Sequence, residues 1–182
     1  MSNKRVSQNV ALTGILAAQA IALSYLESLI SLPAGFPPGA KPGFSNIVVM
    51  FSAGALGIPQ TVAIAVFKAV FAGITRGMTA FFMSLFGGLA ATAAALVLLK
   101  SKNIRFGYTG ISMICAVCHN TAQLCVACVI ASTPRLFLSY GPFLLLAAAA
   151  TGFLSGTVLK LVMPALEKQM NYFKRVKTNK RG

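Results

Sequence analysis

Six apolar stretches run along the chain, separated by short polar or glycine- and proline-rich breaks, and their lengths predict an all-helical membrane protein. They cover about Gln8 to Ser31, Phe44 to Gly57, Pro59 to Thr75, about Thr79 to Leu99, about Thr109 to Ser132 and about Tyr140 to Met163. A helical span needs roughly 20 apolar residues. The second and third stretches fall short of this, so they are expected to be tilted, short or partly re-entrant. Gly57 and Pro59 divide them, because proline cannot continue a helix and glycine adds backbone entropy to it. Irregular backbone at membrane depth is tolerated only where protein or a water-filled cavity covers it, so short interrupted segments point to a site.

The longest break, Pro33 to Asn46, reads PAGFPPGAKPGFSN and holds four of the eight prolines. It is expected to be an ordered loop rather than a span. It carries Lys41, and a stiff loop with a cation between membrane helices reads as a lid or mouth for a binding site.

Composition supports the membrane reading. Hydrophobic residues make up 57% of the chain and charged residues 10%, with a mean hydropathy of +0.78. Soluble domains carry roughly 25% charged residues. A chain of 182 residues this apolar could not hide its side chains in one aqueous core. One membrane domain over 1–163 and a basic cytoplasmic tail over 164–182 are expected. The first stretch follows Lys4 and Arg5 as a signal peptide would. It is of spanning length and lacks an obvious small-residue cleavage site, so it reads as a retained first helix.

The net charge of +14 suggests nucleic acid at first sight. Its placement argues against that partner. With six spans and both termini inside, Lys4, Arg5, Lys100, Lys102, Arg105, Lys160, Lys168 and the tail cations all fall on one side. Only Lys41, Arg76 and Arg135 fall on the other, as the positive-inside rule requires. Reading 44–75 as one kinked helix gives five spans and spoils that asymmetry. A multi-pass protein of the bacterial cytoplasmic membrane is therefore expected, with lipids around it and its tail suited to an anionic membrane surface.

Small residues recur every four positions in the first stretch, at Gly14, Ala18 and Ala22, and in the sixth, at Ala148, Gly152 and Gly156. Such stripes let helices approach closely in lipid. The first stripe suits either packing within the protein or docking of a separate membrane partner.

Three groups could carry chemistry. Cys115-Ala-Val-Cys118-His119 matches a haem-attachment string, and Cys125 and Cys128 repeat its spacing. The string lies inside an apolar helix, and cysteines spread over more than three turns of one helix cannot converge on one metal by themselves. Small buried hydrophobes are the simpler reading, with no metal expected and an electron carrier as the alternative. His119, Asn120 and Gln123 share another side of that helix. They either hydrogen-bond to neighbouring helices or line a polar pocket that Asn46 could join. Lys68 sits within the third stretch, where a buried ammonium wants an anion. Either Glu27 supplies it, or Lys68, with Lys41 and Arg76, attracts an anionic ligand group.

Absences exclude several enzymes. No G-x-x-x-x-G-K string is present, so no P-loop ATPase is expected. The chain has no Asp and two Glu, Glu27 and Glu167, so it lacks paired aspartates to hold magnesium on a diphosphate. No Ser-His-acid arrangement is credible either. No catalytic residue is expected.

LSYLESLI at Leu23 to Ile30, PPGAKPGFSNIV at Pro37 to Val48, the Gly87-Gly88 pair and HNTAQL at His119 to Leu124 resemble the Gx transporter family over about Gln8 to Met163. Its members are often labelled heptaprenyl diphosphate synthase component I. Pro42 and Phe44 stand here where the family is expected to have aliphatic residues, and Lys68 where arginine is expected. The resemblance implies a six-helix bundle similar to the S components of energy-coupling-factor (ECF) vitamin transporters. It implies a flavin, riboflavin or FMN, as transported ligand with no covalently bound cofactor. Lys41, Asn46, Lys68, His119, Asn120 and Gln123 become the binding candidates, and Gly14, Ala18 and Ala22 the partner-docking candidates. The implied partners are an ECF-type coupling protein with its ATPases, or an extracytoplasmic flavoprotein. The alternatives are an S component for another vitamin such as thiamine, or an accessory membrane subunit of prenyl diphosphate synthesis.

Overall fold

The computed structural model describes residues 2–31, 43–100 and 107–179. Pro33 to Pro42, with Lys41, lies outside the described residues, as do Lys102 and Arg105. Six helices follow one another: α1 (Ser2–Ser31), α2 (Asn46–Ala55), α3 (Ile58–Arg76), α4 (Met78–Lys100), α5 (Tyr108–Ile130) and α6 (Arg135–Asn179). No strand occurs among the described residues. Five helices contain stretches long and apolar enough to cross a membrane: Asn9–Ile30, Ile58–Arg76, Met78–Leu99, Tyr108–Ile130 and Arg135–Leu161. Large apolar side chains such as Ile74, Val129 and Leu138 are more than three-quarters exposed. In water that exposure would be costly; in lipid it is the expected outer surface. The fold is an all-α bundle of the multi-pass membrane type.

The breaks lie where the sequence places them. Gly57 ends the short helix with φ +113°, and Pro59 opens α3, where its missing N–H costs nothing. The Thr61 hydroxyl donates to the Gly57 carbonyl at 2.7 Å and shares a 3.0 Å hydrogen bond with Ser52 Oγ, closing the α2–α3 turn. Gly77, at φ +89°, reverses the chain between α3 and α4. Several bounds differ from expectation: α1 starts at Ser2, α2 covers 10 residues and α6 starts at Arg135. α3 reaches 19 residues, long enough for a span, because Ile58 rather than Pro59 opens it and Arg76 rather than Thr75 ends it next to the glycine. Pro164 does not end α6, which runs on to Asn179.

α2 is the short element. Ten residues rise about 15 Å, half the hydrocarbon thickness of a bilayer. It packs against every other helix, with Val48, Val49, Met50 and Ser52 buried, and so forms the centre of the bundle. Met50 joins Ala91, Ala95, Ile111, Cys115 and Leu159 in one core cluster; Val48 joins Leu16, Ala17, Ala20 and Ile64 in another.

The two small-residue stripes have opposite environments. A β-carbon at Gly152 would stand 2.7 Å from the Met113 Cα, and one at Gly156 would stand 2.5 Å from the Thr109 Cα. The α5 and α6 backbones are therefore in direct contact at these two glycines. On α1, a β-carbon at Gly14 would meet nothing within 4 Å, and Ala18 and Ala22 are exposed. That stripe faces away from the bundle.

Candidate functional site

Polar side chains in the spans converge at the end of the bundle where α1 and α3 finish and α4 begins. Ser24, Glu27, Ser45, Lys68, Arg76, Ser84, His119 and Gln123, with Ala80 and Met83, enclose a cavity of about 10 Å³. That is room for roughly one water. Each helix contributes by ordinary helical spacing: Ser24 and Glu27 three residues apart on α1, Ala80 and Ser84 four apart on α4, His119 and Gln123 four apart on α5.

Glu27 and Lys68 are each 2% exposed. Such burial is tolerable for charges only when their hydrogen bonds are met. The Ser45 backbone N–H donates to Glu27 Oε1 at 2.6 Å, and its hydroxyl donates to Oε2 at 3.3 Å. Lys68 Nζ donates to the same Ser45 oxygen at 3.1 Å and to Asn46 Oδ1 at 3.5 Å. The carboxylate thus sits at the N-terminus of α2, where the helix dipole favours negative charge. The cation is joined to it through one hydroxyl. Both readings of Lys68 meet here: it is linked to Glu27 and also lines the cavity.

The polar cluster of α5 divides between two spaces. His119 and Gln123 face the polar cavity, while Asn120 and Gln123 line a larger chamber of about 340 Å³. Its other walls are apolar and come from α4, α5 and α6, among them Leu124, Ala127, Leu136, Tyr140 and Leu144. α4 and α6 do not pack on each other among the described residues, which leaves this space between them. Met83 and Gln123 line both spaces and separate them.

Buried amides usually find partners, because an unmet buried polar group costs about 1–3 kcal/mol. Here Asn46 Nδ2, Asn120 Oδ1 and Gln123 Oε1 have none among the described residues. Asn120 spends its amide N–H₂ on the Ala116 carbonyl at 3.1 Å, leaving its oxygen available. Gly87 explains how α5 comes so near α4: a β-carbon there would stand 2.8 Å from Gln123 Cγ and 3.0 Å from His119 Cε1. The second glycine of the pair only approaches Ala65 at an ordinary 3.4 Å.

Of the residues singled out in the sequence, Asn46, Lys68, His119 and Gln123 are brought to one place, with Asn120 one wall away. Lys41 lies outside the described residues. Glu27, Ser45 and Met83 belong with them, although the sequence reading did not count them as site residues. The signal for Glu27 was available: it is the one acidic residue within the spans, three residues from Ser24. Cys115 packs in the core beside Met50, Cys118 borders a shallow groove between α4 and α5, Cys128 packs on Leu124 and Leu144, and Cys125 is exposed. The four thiols are free, and none lines either space.

The family model described as heptaprenyl diphosphate synthase component I matches residues 16–162, which takes in α2 to α5 whole, the second half of α1, α6 as far as residue 162, and both spaces. No curated protein and no solved structure matches the chain. With four-fifths of its length matched, this chain belongs to the heptaprenyl diphosphate synthase component I family.

Proposed function

We propose that the chain is the small-molecule-binding subunit of a membrane transport system, and that its ligand is a flavin, FMN or riboflavin. The observation that carries this reading is the set of unmet buried amide atoms on Asn46, Asn120 and Gln123, beside an apolar chamber of about 340 Å³. Ligand pockets are commonly ~300–1,000 Å³, mostly apolar, with a few convergent polar groups. The isoalloxazine ring is flat, apolar on its faces and polar along one edge. Its faces suit Leu124, Leu136, Tyr140 and Leu144. Its ring N–H and the ribityl hydroxyls suit the Asn120 and Gln123 oxygens. A phosphate suits Asn46 Nδ2 and Lys68.

The chain binds and carries rather than catalyses, and its place is the bacterial cytoplasmic membrane with the basic segments inside. The outward-facing Gly14, Ala18 and Ala22 suit a helix of a coupling protein driven by ATPases. An extracytoplasmic flavoprotein would then receive the cargo.

Fluorescence titration of the detergent-purified chain tests the ligand. FMN or riboflavin binds with quenching, and Gln123→Leu weakens binding about 10- to 100-fold, the effect of deleting one buried hydrogen-bonding group. Selective binding of thiamine instead would refute the flavin assignment and leave the transport role.

A second reading draws on the same chamber, whose apolar walls and nearby Lys68 also suit a prenyl diphosphate. The chain would then be an accessory subunit, since it has no aspartate to hold a diphosphate-bound metal. Chain-elongation activity that depends on this protein would establish that role in place of transport.

A further inference from the structure

The polar cavity and the apolar chamber hold different chemistry, and a ligand that needs both must cross from one to the other. Lys68 lines the cavity alone, while Leu124, Leu136, Tyr140 and Leu144 line the chamber alone. An ammonium has three N–H donors, and Ser45 and Asn46 accept from two of them, at 3.1 and 3.5 Å. A ligand can take the third while Glu27 keeps both the N–H and the hydroxyl of Ser45. The cavity itself, at about 10 Å³, holds no more than a water. An anionic group such as a phosphate therefore reaches Lys68 only if the wall between the two spaces moves.

That wall is Met83 and Gln123, and they are not equally free. Gln123 Cγ lies against α4, where a β-carbon on Gly87 would stand 2.8 Å from it. Side chains packed this closely have little space in which to turn. Met83 is unbranched, with three rotatable bonds and a soft thioether, and such side chains adapt to irregular gaps. It is the part of the wall that can yield.

We infer that Met83 is the specificity-determining residue of this site: its side chain turns aside to admit an anionic end of the ligand to Lys68. Left in place, it confines a neutral ligand to the chamber. The inference rests on the binding role proposed above. A ligand with an apolar body and an anionic end spans both spaces, its body against the leucines and its anion on the third Lys68 N–H. A ligand without the anion gains nothing by moving Met83. Discrimination between the two depends on how readily residue 83 yields, not on the chamber walls.

Two substitutions change that readiness in opposite directions. Met83→Ile keeps the volume but is β-branched, and such side chains hold one χ1 rotamer in a helix. Met83→Ala removes the partition. FMN and riboflavin differ by one phosphate, so the ratio of their dissociation constants, from fluorescence titration, isolates the anion. Met83→Ile is expected to leave riboflavin binding unchanged and to weaken FMN about 10-fold or more, the loss of one hydrogen bond to a charged group. Met83→Ala is expected to keep or raise the preference for FMN. A preference unchanged in Met83→Ile, or lowered in Met83→Ala, overturns the inference.

If neither flavin binds the wild-type chain, the flavin assignment fails and the partition is decided without a ligand. Ser84 lines the cavity but not the chamber. In a chain whose four native cysteines are replaced by alanine, Ser84→Cys should react with neutral methyl methanethiosulfonate several-fold faster beside Met83→Ala than beside Met83→Ile. That result keeps the partition for an anionic ligand other than a flavin. Equal rates would show that Met83 bars nothing, and would refute the inference.

Discussion

Lys68→Met is expected to destabilise the folded chain by about 3–5 kcal/mol, the usual effect of removing one partner from a buried charge network. The ammonium is 2% exposed and holds Ser45 and Asn46 together at the head of α2, the helix on which all the others pack. Its loss removes two hydrogen bonds and leaves the Glu27 carboxylate without the linked cation. Combining it with Glu27→Gln removes the charge that Lys68 balanced while keeping an oxygen for the Ser45 N–H. The double variant should recover most of the lost stability and still fail to bind an anionic ligand. Denaturant unfolding in mixed micelles measures the first effect, and a binding titration the second. A double variant no more stable than Lys68→Met would show that the two charges are not coupled.

Gly156→Val is expected to prevent α6 from docking, with a loss of at least about 3 kcal/mol, the upper range for overpacking. At this glycine even a β-carbon would stand 2.5 Å from the Thr109 Cα. The neighbour is backbone, which cannot rotate aside as a side chain can. Separating α5 from α6 would also open the apolar chamber, whose walls those two helices share with α4. Gly14→Val is the matched control. It adds the same side chain at the same kind of four-residue stripe, but into open space. It should leave the melting temperature of the isolated chain within a degree or two. If both variants melt alike, the opposite environments of the two stripes are not real.

These two glycines show where the sequence stops being legible. Spacing marks Gly14/Ala18/Ala22 and Ala148/Gly152/Gly156 identically. Only the packed structure separates an outward stripe from a buried helix contact. Helix positions were legible because Gly57 and Pro59 interrupt apolar runs for backbone reasons that need no tertiary context. The short second helix was legible by length alone, although its central position was not.

In the site, His119 and Gln123 announced themselves as polar residues at membrane depth. Ser45 could not, because a serine beside a loop is ordinary until Glu27, 18 residues away, is found accepting from its N–H and hydroxyl. The chamber was not legible either. Leu124, Leu136 and Leu144 have the composition of any core, and what distinguishes them is that α4 and α6 stay apart.

The central claim is that a flavin occupies the chamber between α4, α5 and α6. A single cysteine at Ala127, in a chain whose four native cysteines are replaced by alanine, reports on it directly through the rate of maleimide labelling. Saturating FMN should slow labelling at Ala127→Cys at least 10-fold and leave a cysteine at exposed Val97, on the α4 surface, unchanged. Equal labelling at Ala127→Cys with and without bound FMN would contradict it.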